Sequence, residues 1–404
     1  TAERARREAQ ASAARWRAGQ PVSQFDGVPL AWKDLFDMAG SVTTAGAAYR
    51  RHAPAAVQDA PCVERLCRAG MVSLGKTNLS ELAYSGLGLN PHFGTPHNPS
   101  SSDQPRIPGG SSSGSAVAVA AGIVPIAMGT DTAGSIRIPA ALNGVVGYRS
   151  SCQRYSREGV FPLAHSLDSL GPLTRSVRDA LALDDVLHGR SQRHVATSLK
   201  GLRLVLEQGA LEGIEPAVRD NLLHAADQLR ASGALIEVRP SATFQATLAL
   251  IKEHGWLGSF EAFALHEALL KSTDAEQLDP RVRRRLEAAS ALPARQRLYV
   301  IEARRRLQQQ LPDDLDGALL ITPTVAHVAP PLAALEADDE LCVTTNLATL
   351  RLTMPGSLLD MPGVSLPSGR DALGLPTGLL LSAPTGEDAR LLGAALAVES
   401  VLTR

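Results

Sequence analysis

The sequence predicts an α/β fold, a single large domain in which a β-sheet is covered by helices. Three observations carry this prediction. Short apolar runs of strand length alternate with amphipathic stretches of helix length, the pattern of a sheet with helical crossovers. The 404 residues are 44% apolar and 20% charged, enough for a sizeable core. No internal repeat, low-complexity tract or linker divides the chain, so one unit is expected over 1–404.

The elements follow in order. Residues 1–20, rich in Ala and Arg, read as an amphipathic surface helix that is too polar to anchor in a membrane. Apolar runs at 28–32, 71–74, 124–128 and 145–148 predict strands, and the patterns at 60–69, 79–84, 113–121 and 176–187 predict helices. Further strands are expected at 202–206, 235–238, 319–322, 363–367 and 377–381, with helices at 215–231 and 388–402. The stretch 243–311 carries helical periodicity and no convincing strand. It reads as an excursion from the sheet, of the kind that covers a site.

Charge and cysteine usage exclude several function classes. Forty basic and 41 acidic residues leave a formal charge of −1, so no basic field exists to collect nucleic acid or an anionic membrane. No apolar run approaches the ~18 residues of a membrane span. The longest, 116–129, is interrupted by Gly122 and Pro125. Cys62, Cys67, Cys152 and Cys342 form no CxxC pair, which argues against a zinc site and a disulfide framework; reduced thiols in a cytoplasmic protein are expected. Only five of the forty basic residues are lysine: Lys33, Lys76, Lys200, Lys252 and Lys271.

The densest chemical signal is IPGGSSSGSAVAVAAG at 107–122, a Gly/Ser loop running into an apolar helix. A phosphate loop would end in Gly-Lys-Ser/Thr, which is missing. A nucleophile elbow, GxSxG, is formally present from Gly110 to Gly114 around Ser112, but polar, proline-rich sequence precedes it instead of a buried strand. The third reading is a serine cluster that works with a second segment, VPIAMGTDTAGSIRIPA at 124–140. There a strand ends, a polar turn follows, and Ser135 opens a short helix, where backbone N–H groups can stabilise an oxyanion. A plain Ser N-cap accounts for the same pattern.

Ser135 needs a base. His165, in PLAHSLDSLGPL, is the best-placed histidine and reads equally as a loop residue. Lys33 closes the apolar run VPLAWKD. Desolvation there would lower its pKa and free the neutral amine, a role arginine cannot take because it does not deprotonate. A strand-end lysine snorkelling to water fits as well. Ser73-Leu74-Gly75-Lys76 matches SxxK, but lies in a strand-like run where alternation separates the two side chains. Lys76 is expected to brace the loop at Thr77-Asn78.

Taken together, GVPLAWKD, GKTNLSELAYSG, PGGSSSGSAVAVAAG and GTDTAGSIRIPAALNGVVGY closely resemble the amidase signature family of serine hydrolases. Weaker similarity resumes in LDMPGVSLPSGRDALGLPTGLLLSAPTGEDARLL. The resemblance implies a mixed sheet covered by helices on both faces. The signature core would span about 27–190, the substrate-side helical excursion 243–311, and C-terminal strands and a helix 317–404. It implies a Ser–Ser–Lys triad with Ser135 as nucleophile, Ser111 as the bridging serine behind a cis peptide bond, and Lys33 as base. The implied oxyanion hole is the backbone of Thr132, Ala133, Gly134 and Ser135. Asp131 and Arg137 would brace the nucleophile loop, and Ala83, Tyr84 and Ser85 would line the substrate entrance. The chain departs from the family pattern in three places. Ala133 stands where glycine is common. Tyr148-Arg149-Ser150-Ser151 replaces Leu-Lys-Pro-Thr. The stretch before Lys33 is short, so missing N-terminal residues are expected.

The implied activity is hydrolysis of a small soluble amide to acid plus ammonia or amine through a Ser135 acyl-enzyme, with no metal and no organic cofactor. The expected partner is the small-molecule amide, with no direct nucleic-acid contact and no membrane; a homodimer or a partner subunit stays open. Three alternatives stand beside this reading: the glutaminase (A-type) component of a tRNA-dependent amidotransferase, a non-catalytic subunit of the same fold, and a Ser-His-Asp hydrolase built on Ser112. Substrate choice is expected to lie in 243–311 and 340–362, the least motif-like segments.

Overall fold

A computed structural model describes residues 1–189 and 197–402. The expected ends of the signature core at 190 and of the C-terminal unit at 404 lie outside the described residues. Ten strands form one sheet: β1 (Pro29–Lys33), β2 (Val72–Thr77), β3 (Ile126–Asp131), β4 (Val146–Arg149), β5 (Ser169–Thr174), β6 (Arg203–Glu207), β7 (Leu235–Arg239), β8 (Leu319–Pro323), β9 (Gly363–Arg370) and β10 (Pro376–Ser382). Their order is β2-β1-β3-β5-β4-β9-β10-β8-β6-β7. The sheet is mixed. β1 runs parallel to β2 and β3, and β6 parallel to β7 and β8, while the pairings from β3 through β5, β4, β9 and β10 to β8 are antiparallel.

Alternation along the strands sends side chains to two cores. Leu30, Trp32, Ile126 and Met128 join one cluster with the helices Pro61–Arg68, Val177–His188, Pro216–Ala231 and Asp388–Leu402. Ala31, Ala127 and Leu173 pack on the other face with the helices Ser113–Ala120 and Arg137–Asn143. The small residues on that second face bring those two helices close to the sheet, and these are the helices that follow the Gly/Ser loop and the Ser135 turn. Ala2–Arg17 is the surface helix expected at the start. The helices Ala242–His254, Leu257–Leu270, Pro280–Ser290 and Ala294–Leu315 make up the excursion, with no strand among them. No helix among the described residues is long and apolar enough to cross a membrane.

The structure corrects four local expectations. Residues 79–84 do not form a helix: only a 3₁₀ turn, Glu81–Ala83, is present, and Leu82 and Ala83 have φ of 53° and 59°. Leu79, Leu82 and Ala83 have helical spacing in the sequence, but all of 79–84 is buried and long-range bonds set the backbone: Ser80 N–H donates to Ser111 O and Leu82 N–H to Ala45 O. A strand absent from the sequence reading, β5, sits between β3 and β4. Ser135 lies before its helix, which begins at Arg137. Lys76 reaches backwards to the loop after β1 instead of the loop after β2: its Nζ donates to Asp34 Oδ1 at 2.7 Å, Val42 O at 3.0 Å and Thr43 Oγ1 at 3.0 Å.

Candidate active site

Because β1 and β3 are parallel neighbours, their C-terminal ends lie side by side. Lys33 ends β1 and Thr130-Asp131 ends β3. Lys33 is fully buried, at 0% exposure, so it does not snorkel. Its Nζ donates to Ser111 Oγ at 2.7 Å and to Thr130 Oγ1 at 2.8 Å. Burial penalises the ammonium form and pulls the Lys33 pKa down to about 7, against the carboxylates of Asp131 and Asp168, which push it up. A large fraction of Lys33 is therefore neutral near pH 7, with a lone pair available to its hydroxyl neighbour.

Ser111 follows a cis peptide bond from Gly110 and is buried. Ser112 is tied down on both sides: its N–H donates to Ser135 O at 3.1 Å and its hydroxyl to Thr130 O at 3.2 Å. The elbow serine thus holds the two segments together and faces a carbonyl. Ser135 is 4% exposed and lines a cavity of about 320 Å³. His165 is exposed and lines a different pocket, beside Thr130, Thr132 and Asp168.

The loop that carries Ser135 is organised around Asp131. Its carboxylate accepts from the N–H groups of Gly134 at 2.8 Å, Ile136 at 3.1 Å and Arg137 at 3.3 Å, so Asp131 caps the helix that Ser135 was expected to cap. Arg137 closes on the same carboxylate through Nε at 3.0 Å and Nη2 at 2.9 Å, and Arg149 Nη1 adds a contact at 3.3 Å. Burial alone would raise the Asp131 pKa, but the two guanidinium groups outweigh it and hold the carboxyl below its usual range. Of the four amides proposed for the oxyanion hole, that of Gly134 is given to Asp131; those of Thr132, Ala133 and Ser135 are not held by Asp131. Gly134 has a φ of +134°, and a Cβ there would stand 2.3 Å from Thr353 Oγ1, so only glycine fits.

Four further residues support this arrangement and carried no motif signal. Thr130 gives Lys33 a second partner. Asp168, raised by burial despite its bonds, accepts from Thr132 Oγ1 at 2.6 Å. Thr353 Oγ1 donates to Ala133 O at 2.5 Å. Arg149, in the stretch that departs from the family pattern, completes the Asp131 network. Ala83, Tyr84 and Ser85 do line the Ser135 cavity. Tyr84 OH donates to Ser259 Oγ at 2.9 Å, joining the entrance loop to the helical excursion, and Ser85 Oγ donates to Asn346 Oδ1 at 3.1 Å.

Residues 1–392 match the family model described as Amidase. The 2-amino-5-chloromuconic acid deaminase of Comamonas testosteroni is 34% identical over 392 residues, covering 95% of this chain and 83% of that protein. The A-type component of the glutamyl-tRNA(Gln) amidotransferase of Prochlorococcus marinus (strain MIT 9303) is 35% identical over 437 residues, covering 99% and 88%. A crystal structure of an amidase superposes with a TM-score of 0.88 at 35% identity, covering 100% of this chain and 91% of its own. The chain belongs to the amidase signature family, enzymes that hydrolyse carbon–nitrogen bonds in amides.

Proposed function

We propose that the protein hydrolyses a small carboxylic amide through an acyl-enzyme on Ser135, with Ser111 as proton relay and Lys33 as base. The observation that carries this reading is the fully buried Lys33 amine, with a pKa near 7, at 2.7 Å from Ser111 Oγ. Lys33 takes the Ser111 proton as Ser111 takes that of Ser135. Ser135 Oγ then attacks the amide carbon. Backbone N–H groups of the 132–135 turn hold the oxyanion, where one donor typically contributes about 3 kcal/mol to lowering the barrier. Ser111 returns a proton to the departing nitrogen, the C–N bond breaks, and water repeats the sequence on the ester. The four cysteines, free in the structure, suit a reducing, cytoplasmic setting. Ser135→Ala, Ser111→Ala and Lys33→Ala are each expected to abolish nearly all amide turnover; full activity in Ser135→Ala would sink the reading.

A second reading, the glutaminase component of an amidotransferase, is favoured by the similarity to the A-type amidotransferase relatives. It requires a partner protein, so copurification together with a glutaminase assay separates the two. A non-catalytic role is disfavoured by the intact Lys33–Ser111 contact.

A further inference from the structure

The loop 85–88 is pressed between the segment that ends in Ser111 and the helix Asp339–Leu350. On its inner side the contact is backbone on backbone. Gly110 N–H donates to Gly86 O at 2.8 Å. A Cβ on Gly88 would stand 2.5 Å from Gly109 O, and one on Gly110 would stand 2.6 Å from Gly88 N, so no side chain separates the two segments. Ser80 fastens both: its N–H donates to Ser111 O at 3.2 Å, its hydroxyl donates to Ser85 O at 3.1 Å and accepts from Gly88 N–H at 3.2 Å. On the outer side the anchor is Asn346, which is buried in the helix Asp339–Leu350. Its Oδ1 accepts from Gly86 N–H at 2.8 Å and from Ser85 Oγ at 3.1 Å. A Cβ on Gly86 would meet the Leu350 side chain at 3.2 Å, so the loop also packs on that helix without slack. Gly86 therefore has its N–H held by Asn346 and its carbonyl held by Gly110, the residue before Ser111.

We propose that Asn346 is a positioning residue for the relay serine: by holding Gly86 it fixes Gly110, and with it the 2.7 Å separation of Ser111 Oγ from Lys33 Nζ. The inference rests on the amide-hydrolase reading above, in which Ser111 carries protons between Ser135 and Lys33. Proton transfer needs heavy atoms within about 2.6–3.2 Å, and a displacement of about 1 Å costs on the order of a hundredfold in rate. Without Asn346 Oδ1 the buried N–H of Gly86 has lost its acceptor, and the loop can recover one only by moving. Tight packing on both sides passes that movement to Gly110. Asn346 is not among the residues lining the Ser135 cavity, so its effect on the chemistry is transmitted through the loop and not through substrate contact. One residue of the 340–362 stretch, expected to govern substrate choice, thereby serves the proton relay.

The test is a double-mutant cycle read by an alkyl fluorophosphonate, which needs no knowledge of the substrate. The probe forms a bond from Ser135 Oγ to phosphorus and expels fluoride, while the Ser135 proton leaves through the relay. Labelling rates are measured for wild type, Asn346→Leu, Asn346→Asp, Ser111→Ala and the Asn346→Leu/Ser111→Ala double variant. Leucine keeps the shape of the side chain without an acceptor, and aspartate keeps the acceptor. Asn346→Leu is expected to slow labelling by on the order of ten- to a hundredfold, and Asn346→Asp to restore most of the rate. Once Ser111 is gone there is no relay left to misplace, so the double variant is expected to match Ser111→Ala within about threefold. A general folding defect, or a role in the cavity wall, would slow both backgrounds alike. The proposal is overturned if Asn346→Leu labels at the wild-type rate, if it slows the Ser111→Ala background as much as wild type, or if aspartate is as slow as leucine. If wild-type protein carries no adduct on Ser135, the hydrolase reading itself falls and the proposal falls with it; if the adduct forms and Asn346→Leu is indifferent, only the role of Asn346 falls.

Discussion

Replacing Lys33 by methionine removes the amine while keeping the length and apolar stem of the side chain, and it should lower activity while flattening the pH dependence of stability. The activity loss follows from removing a general base, typically 10²–10⁴-fold. The stability effect follows from linkage. In the folded protein Lys33 gives up its proton near pH 7, whereas an ordinary lysine does so at 10.5. Between these values the unfolded chain binds more protons than the folded one, so wild-type stability rises with pH, by up to about 1.4 kcal/mol per unit. Falling pH removes that stability down to about 7, below which the contribution is constant. Across the window the sum is on the order of 5 kcal/mol. The Lys33→Met variant has no such slope. It does leave the hydroxyls of Ser111 and Thr130 without their donor, at ~1–3 kcal/mol each, but that cost does not vary with pH. Amide turnover and urea unfolding from pH 6 to 9 measure both effects. The variant should fare best against wild type at or below pH 7 and lose ground steadily as pH rises. Activity within tenfold of wild type, or parallel stability curves, would refute the reasoning.

The same contacts set four other outcomes. The kcat/KM for amide hydrolysis should rise about tenfold per pH unit below about 7 and level off above it. Asp168→Asn removes a field that raises the Lys33 pKa, so this acid limb should move to lower pH; a shift to higher pH in the rate profile would contradict the assignment. Asp131→Asn leaves Arg137 and Arg149 buried with half their compensation and should cost roughly 3–5 kcal/mol, read as a fall in the urea midpoint. Gly134→Ala forces a methyl against Thr353 at a φ of +134° and should lower both stability and turnover; an unchanged midpoint would mean the loop is softer than described.

Much of the site was legible in the residues because its chemistry needs unusual types at unusual places: an amine at the end of an apolar strand, serines in a glycine loop, a serine before a helix. Local pattern did not choose between Lys33 and His165, and topology does, since parallel pairing sets the ends of β1 and β3 together. β5 was hidden by its own composition. It contains Gly171-Pro172, a pair that argues against a strand interior. The structure shows why glycine is there: a Cβ at Gly171 would fall 1.8 Å from Tyr148 O, so the neighbouring backbone passes too close for any side chain. Pro172 sits opposite Met128, beyond the two residues where β4 pairs with β5. The segment 79–84 misled for the opposite reason. The spacing of its apolar residues Leu79, Leu82 and Ala83 is helical, but its backbone is set by Ser111 and Ala45, contacts that no local window contains. Asp168 and Thr353 were likewise invisible, because each acts through a partner far along the chain.

The central claim is that Ser135 is the nucleophile, activated through Ser111 and Lys33. Reacting the wild-type protein with a fluorophosphonate and locating the adduct by peptide mass spectrometry tests this most directly. The account predicts a single adduct on Ser135, absent in Ser135→Ala and slowed in Lys33→Met. An adduct on Ser112, or labelling that is indifferent to Lys33, would contradict it.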